Sequence, residues 1–416
     1  MKKQSLFLFL ILVSSSIFTQ TYNKPIGCFA GTNGTASSVL SHPSARGVLL
    51  IEKWSNIELT PGIYDFTSLN AKINTVKNAG LQYALAISGG AFGSPDWLID
   101  SLNVAFHNFQ YQNMSWRLPL WWDTTCEQKI NELIDQLGNQ YASDTMLSHV
   151  YVTQMTVNGI EGHLNGVNMA LFEAEGFTNQ KWIEAAKNTT YRFANAFPDK
   201  PIVFEIHEIN QDTIVPATII NDLTDAPDLC NRLGLGMWWI SGKTSYQTDL
   251  IDFIYHYQGD KYAQVIGRSD QEERFQDSSY STVFEQAKHL NIRYIEPWPY
   301  EFQHYTHDDL LNDFNTWADS NFQPTDSCLL INTNYDRAPK SREVIIYPNP
   351  AKELLYIQIN FPYETIETRL YDASGKYLLS AANQTAIDIS EYPNGMYFLE
   401  ISVGNSVIYK KLIKTD

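Results

Sequence analysis

Cysteine is scarce in this chain, with four in 416 residues, too few for a disulfide-stapled scaffold. Basic residues are also few: 29 Lys and Arg stand against 46 Asp and Glu, for a formal net charge of −17. That balance argues against a nucleic-acid partner, whose phosphates demand Lys and Arg, and suits a neutral substrate. After the first twenty residues no apolar run is long enough to span a bilayer, so no membrane span is expected in the mature protein. H-E-x-x-H is absent, and His304-x-x-His307 precedes a predicted helix instead of forming a metal-binding pattern. No G-x-S-x-G elbow occurs, and no G-x-G-x-x-G follows a strand. Zinc protease, serine hydrolase and dinucleotide chemistry are therefore not expected. Neither is an organic cofactor or a catalytic metal; a structural calcium is the one ion left open.

What the chain has is apolar and aromatic mass: 44% hydrophobic residues, with 10 Trp, 24 Tyr and 21 Phe. Its length suggests two or three domains. Met1-Lys2-Lys3 followed by LFLFLILV, Leu6 to Val13, reads as a signal peptide over residues 1–20, directing the rest out of the cytoplasm. The cysteines, Cys28, Cys126, Cys230 and Cys328, would then meet an oxidising compartment and allow three pairings. A Cys28–Cys328 bridge would close the two ends of the central region; buried free thiols are the alternative.

From Val344 the texture changes. Short alternating strands are punctuated by turn signals at Pro348-Asn349-Pro350, Ser374-Gly375, Asn394-Gly395 and Gly404-Asn405, as in a small antiparallel β-sandwich. A polar, proline-bounded linker over 326–343 precedes it. YPNPA, LYDASGK, IDIS, NGMYFL and the terminal KKLIK, in this order, resemble the C-terminal sorting domain of the type IX secretion system of Bacteroidetes. The resemblance covers 344–416. It implies the type IX machinery as a partner and export via the periplasm, ending in release or cell-surface attachment.

Between residues 21 and 325, eight strand-like runs alternate with helical patterns. The runs are Pro25–Ala30, Gly47–Trp54, Leu81–Ser88, Val150–Val157, Ile202–Ile209, Leu235–Ile240, Ala263–Gly267 and Ile292–Glu296. Cys126, Ile130, Leu133, Leu137 and Tyr141 share one helical face behind a Thr124…Glu127 capping box, and a Thr306…Asp309 box precedes another such face. Size and count fit a (β/α)8 barrel of the TIM type; a doubly wound sheet is the structural alternative.

In such a barrel, chemistry sits at the C-terminal ends of the strands. Trp54 ends the second run, and Trp97 follows the third. Glu161 and His163 follow the fourth, in the stretch NGIEGH. His207 ends the fifth, Trp238 lies in the sixth, Glu272 and Glu273 follow the seventh, and Glu296 and Trp298 end the eighth. Carboxylates and tryptophans on one rim suit a carbohydrate, because rings stack on indoles and carboxyl pairs cut glycosidic bonds. Glu161 is the expected general acid, its glycines leaving space for substrate. Strands four apart face each other across the barrel, which makes Glu296 the first choice of partner and Glu272 or Glu273 the rivals. Trp54, Trp97, Trp298 and either Trp238 or Trp239 are the candidate sugar platforms, with His163 and His207 as hydrogen-bonding groups.

The segment Ala45 to Leu98, ARGVLLIEKWSNIELTPGIYDFTSLNAKINTVKNAGLQYALAISGGAFGSPDWL, resembles the opening of β-galactosidase-like and cellulase-like TIM-barrel glycoside hydrolases. That resemblance implies a retaining pair, with an Asn-Glu ending the fourth strand and a Glu ending the seventh. Here Asn158 and Glu161 are separated by Gly-Ile, and the seventh run ends GRSDQEERF. A barrel that binds glycan without cutting it is the alternative function.

Overall fold

The computed structural model describes residues 17–226, 229, 231–331, 344–359, 365–373, 376–403 and 406–415. Two compact units divide the chain at Asn332. In the first, eight parallel strands lie in sequence order: β1 (Gly27–Cys28), β2 (Gly47–Lys53), β3 (Gln82–Ser88), β4 (Leu147–Tyr151), β5 (Ile202–Glu205), β6 (Leu233–Ile240), β7 (Asp260–Val265) and β8 (Tyr294–Glu296). β8 pairs with β1, and a bridge from Ala30 to Val48 joins β1 to β2. The sheet therefore closes, and the expected (β/α)8 barrel is the fold.

Alternation along the strands sorts the core into two sets, since successive side chains point to opposite faces. Phe29, Leu49, Ala84, Tyr151, Val203, Trp238, Tyr262 and Tyr294 fill the barrel. Their neighbours Cys28, Leu50, Leu85, Val150, Phe204, Met237, Ala263 and Ile295 belong to the separate cluster that includes the helices. The same parity turns Glu205, Gln264 and Glu296 inward. Gly234 on β6 is required by this packing, since a Cβ there would meet the Tyr262 ring at 2.4 Å.

Helices follow the strands at the positions read from periodicity, notably Thr124–Tyr141, Asn179–Ala196 and Asp308–Asn321. Their caps differ from expectation. Asp123, not Thr124, caps the first, its carboxylate accepting from the Thr125 and Cys126 amides. The last begins after His307 with no side-chain cap. Two elements were not anticipated. Strand Ile17–Asn23 pairs antiparallel with Thr325–Ile331, overlapping the expected ends of the leader and of the linker. A hairpin, Phe106–Tyr111 with Met114–Pro119, turns through Gln112 and Asn113, both at positive φ. The remainder of the expected leader and residues 332–343 lie outside the described residues.

Cys28 and Cys126 are buried free thiols. Cys28 faces the final helix, with Sγ 3.7 Å from the Leu311 carbonyl oxygen. This overturns the expected Cys28–Cys328 bridge. Cys230 is outside the described residues.

The second unit consists of antiparallel strands in a three-stranded and a four-stranded sheet. They share a core of Val344, Leu355, Ile357, Leu370, Leu399, Ile401 and Leu412 that contains no barrel residue. Deleting residues 333–416 should therefore leave the barrel's thermal unfolding midpoint unchanged. A lower midpoint in the truncated chain would show that the barrel depends on the tail.

Candidate active site

The stretch Asn158–His163 leaves the barrel after β4 and folds back on its neighbours. Gly159 has φ +82°, and a Cβ there would strike the Gly89 backbone at 2.2 Å. The Gly89 amide donates to the Gly159 carbonyl oxygen at 3.3 Å, and the Ser88 hydroxyl donates to the Asn158 carbonyl oxygen. Gly162 sits against β5, where a Cβ would come within 3.0 Å of the His207 amide. Gly159 is thus demanded by backbone approaching backbone, and at Gly162 a side chain would be a tight fit against the backbone after β5. The expectation that they clear room for a ligand is corrected.

What they achieve is the placement of Glu161. Asn158 Oδ1 accepts from the amides of Ile160 and Glu161, and Asn158 Nδ2 donates to Glu161 Oε1 at 2.6 Å. Beside it stands a residue the sequence reading missed. Glu205, buried at the end of β5, accepts from the Gly162 amide at 2.6 Å, the Trp238 amide at 3.0 Å and His207 Nδ1 at 3.0 Å. The other nitrogen of His207 lies 3.9 Å from Glu161 Oε2. Glu205, His207 and Glu161 form a carboxylate–imidazole–carboxylate row leading from the barrel interior to its mouth. The signal for Glu205 was its parity: in IVFEIH it shares a strand face with Val203 and His207.

This row sets the charge states. Burial and the neighbouring Glu205 raise the Glu161 carboxyl to about 7, against the opposing effects of His207 and the Asn158 hydrogen bond. Burial disfavours the His207 imidazolium, but Glu205, Glu161 and Glu208 outweigh it, and its pKa rises. His163, 5.5 Å from His207 between ring centroids, is pushed down to about 3 by burial and by His207, and is neutral at pH 7. Glu161 keeps a quarter of its side chain exposed.

Glu296 ends β8 with no exposed surface. Tyr151 and Tyr294 hydroxyls donate to its Oε1 at 2.9 and 2.7 Å, and Gln264 Nε2 donates to its Oε2 at 2.9 Å. The Tyr151 contact spans the barrel from β4 to β8. Burial raises Glu296 to about 7 against all three hydrogen bonds. Glu272 and Glu273 are exposed in a 3-10 turn, Glu272–Arg274, and no contact among the described residues brings them to Glu161 or Glu296.

The tryptophans are less available than their positions suggest. Trp54 is fully buried, its indole N–H donating to Glu58 Oε2 at 2.7 Å. Trp238 is buried edge-on to Tyr151 inside the barrel. A platform role is closed to both rings in this conformation. Trp97 and Trp298 are half-buried, with their N–H groups donating to the carbonyl oxygens of Glu58 and Val265. Trp54→Ala should therefore behave as a core deletion, costing about 3–5 kcal/mol. Urea unfolding measures this; an unchanged midpoint would show that the ring is not part of the core.

No helix among the described residues is long and apolar enough to cross a membrane. No curated protein matches the chain in sequence. Among solved structures, the catalytic domain of a β-amylase from Paenibacillus polymyxa is 11% identical, with a TM-score of 0.51 covering 72% of this chain and 99% of that one. A β-galactosidase from Rahnella sp. R3 is 11% identical, with a TM-score of 0.46 over 71% of this chain and 57% of its own. At these identities the likeness is one of fold. Residues 345–415 match the family described as "Secretion system C-terminal sorting domain". The chain is thus a (β/α)8 barrel that carries a secretion-system C-terminal sorting domain.

Proposed function

We propose that the barrel is an exported glycoside hydrolase with Glu161 as its general acid. The observation that carries this reading is the carboxyl of Glu161, partly exposed at the strands' C-terminal face and raised to about 7. A group in that state gives a proton to a glycosidic oxygen near neutral pH. Asn158 fixes one of its oxygens, and His207 faces the other. Glu296 is the proposed partner, as nucleophile or base. It ends the strand opposite β4, and two tyrosines orient it. A separation of about 5–5.5 Å with substrate bound would mean retention, and roughly 6.5–9.5 Å inversion.

The tail is proposed to direct export through the type IX machinery of Bacteroidetes, leaving the barrel outside the cell or on its surface. Incubating the purified chain with a panel of polysaccharides tests the enzymatic reading. New reducing ends from at least one of them support it. The complete burial of Glu296 favours a second reading, a glycan-binding barrel without turnover, which binding without new reducing ends would establish.

A further inference from the structure

A groove of about 330 Å³ lies beside Glu161, between the loops that follow β4, β5 and β6. It falls at the small end of the roughly 300–1,000 Å³ typical of small-ligand sites. His163 and His207 form part of its wall, and the Nε2 of His207 lies 3.9 Å from Glu161 Oε2. The loop after β5 reaches it through a two-residue turn, Asn210-Gln211, closed by reciprocal amide bonds between Ile209 and Asp212. Both turn residues have positive φ, as the mirror-image turns of tight hairpins require.

Two further features suit a sugar. Tyr246 is 46% exposed on the groove, its ring held edge-on by Trp239 at 5.6 Å. Gln247, also at positive φ, accepts the Glu208 amide on Oε1 at 2.6 Å, which fixes its side-chain amide. The opposite end, Nε2, is a buried donor with no hydrogen-bond partner. An unmatched buried N–H of this kind costs the folded chain free energy. Charge narrows the class. The groove lining contains no Lys or Arg among the described residues, while Glu208 lines it with Asp212 and Asp249 close enough to raise its pKa alongside burial.

We infer that this groove is a subsite for a sugar unit without negative charge, with Tyr246 as its stacking face and the side chain of Gln247 in its wall. Glu208, Asp212 and Asp249 outnumber the one lining imidazole whose pKa is raised, His207, and disfavour a carboxylate or sulfate on that unit. The inference rests on the glycosidase reading for its choice of ligand, but its test does not require turnover.

The test is calorimetric titration of the full Glu161→Gln chain with two sets of probes. Cellohexaose, mannohexaose, xylohexaose and galactotetraose form the neutral set; hexagalacturonate and a sulfated carrageenan oligosaccharide form the anionic set. At least one neutral probe should bind, and each anionic probe should bind at least tenfold more weakly. Tyr246→Ala should weaken the neutral complex tenfold or more, whereas Tyr246→Phe keeps the ring and the affinity. An anionic probe bound as tightly as the best neutral one, no binding by any probe, or full affinity in Tyr246→Ala would overturn the subsite. Neutral binding without hydrolysis by the unmodified chain would refute the enzyme and leave the subsite standing. Hydrolysis of an anionic glycan would do the reverse.

Discussion

Glu161→Gln is expected to lower hydrolysis of an ordinary glycoside by roughly 10²–10⁴, the usual worth of a positioned general acid. The amide keeps the shape of the side chain and its place beside Asn158, so the loss measures the proton. An aryl glycoside, whose leaving group needs little protonation, should lose less. The pH profile gives a second readout. With Glu161 raised to about 7, the parent enzyme should lose activity as pH rises through that value and the proton is lost. The variant has no such proton, so this limb should vanish. Parent-like rates and an unchanged profile would show that NGIEGH is only a turn.

Glu296→Gln should separate activity from stability. As partner carboxylate, its loss should cost at least roughly 10²-fold in rate. Stability should move the other way, and only on one side of the pH scale. Burial raises the carboxyl from 4.5 to about 7 in the folded protein, so the folded state holds this proton more tightly than the unfolded chain does. That contribution is fully present below about pH 4.5 and is lost as pH rises through about 7. Above that, the buried anion costs the parent about 3 kcal/mol, at 1.36 kcal/mol per pKa unit. Gln cannot ionise. The variant should therefore match the parent near pH 4 and exceed it at pH 8, as read from urea unfolding at both values. Equal stability at pH 8 would show that Glu296 carries no such burden.

The barrel was legible because each strand is an apolar run bracketed by helical periodicity, and burial on both faces keeps such runs continuous. Elements without that bracket escaped notice. Phe106–Pro119 is a polar-faced hairpin, and Ile17–Asn23 and Thr325–Ile331 form a two-stranded ribbon in segments that read as leader and linker. The candidate site was legible by position and not by burial. Trp54 and Trp97 both stand near strand ends, yet only the second keeps exposed surface; the first is packed into the core, where Glu58, four residues later, accepts its indole N–H. Glu205 escaped because a carboxylate inside IVFEIH looks like an interruption of a core strand. Its three donors come from the segment after β5, from β6 and from the loop after β4, which only the closed barrel brings together.

The pairing of Ile17–Asn23 with Thr325–Ile331 bears on when the chain folds. Its two sides are tied again by Lys24 and Asp326, 302 positions apart, and β1 completes its own pairing with β8. Contacts of such separation form last, because loop-closure entropy must be overcome before they contribute. A chain emerging N-terminus first cannot seal the barrel until its final strands arrive. Until then β1 has an open edge, the state in which a chain is most exposed to aggregation and most easily kept unfolded for transport. Sealing therefore waits for β8, Tyr294–Glu296, and the terminal ribbon forms later still, once Thr325–Ile331 has arrived.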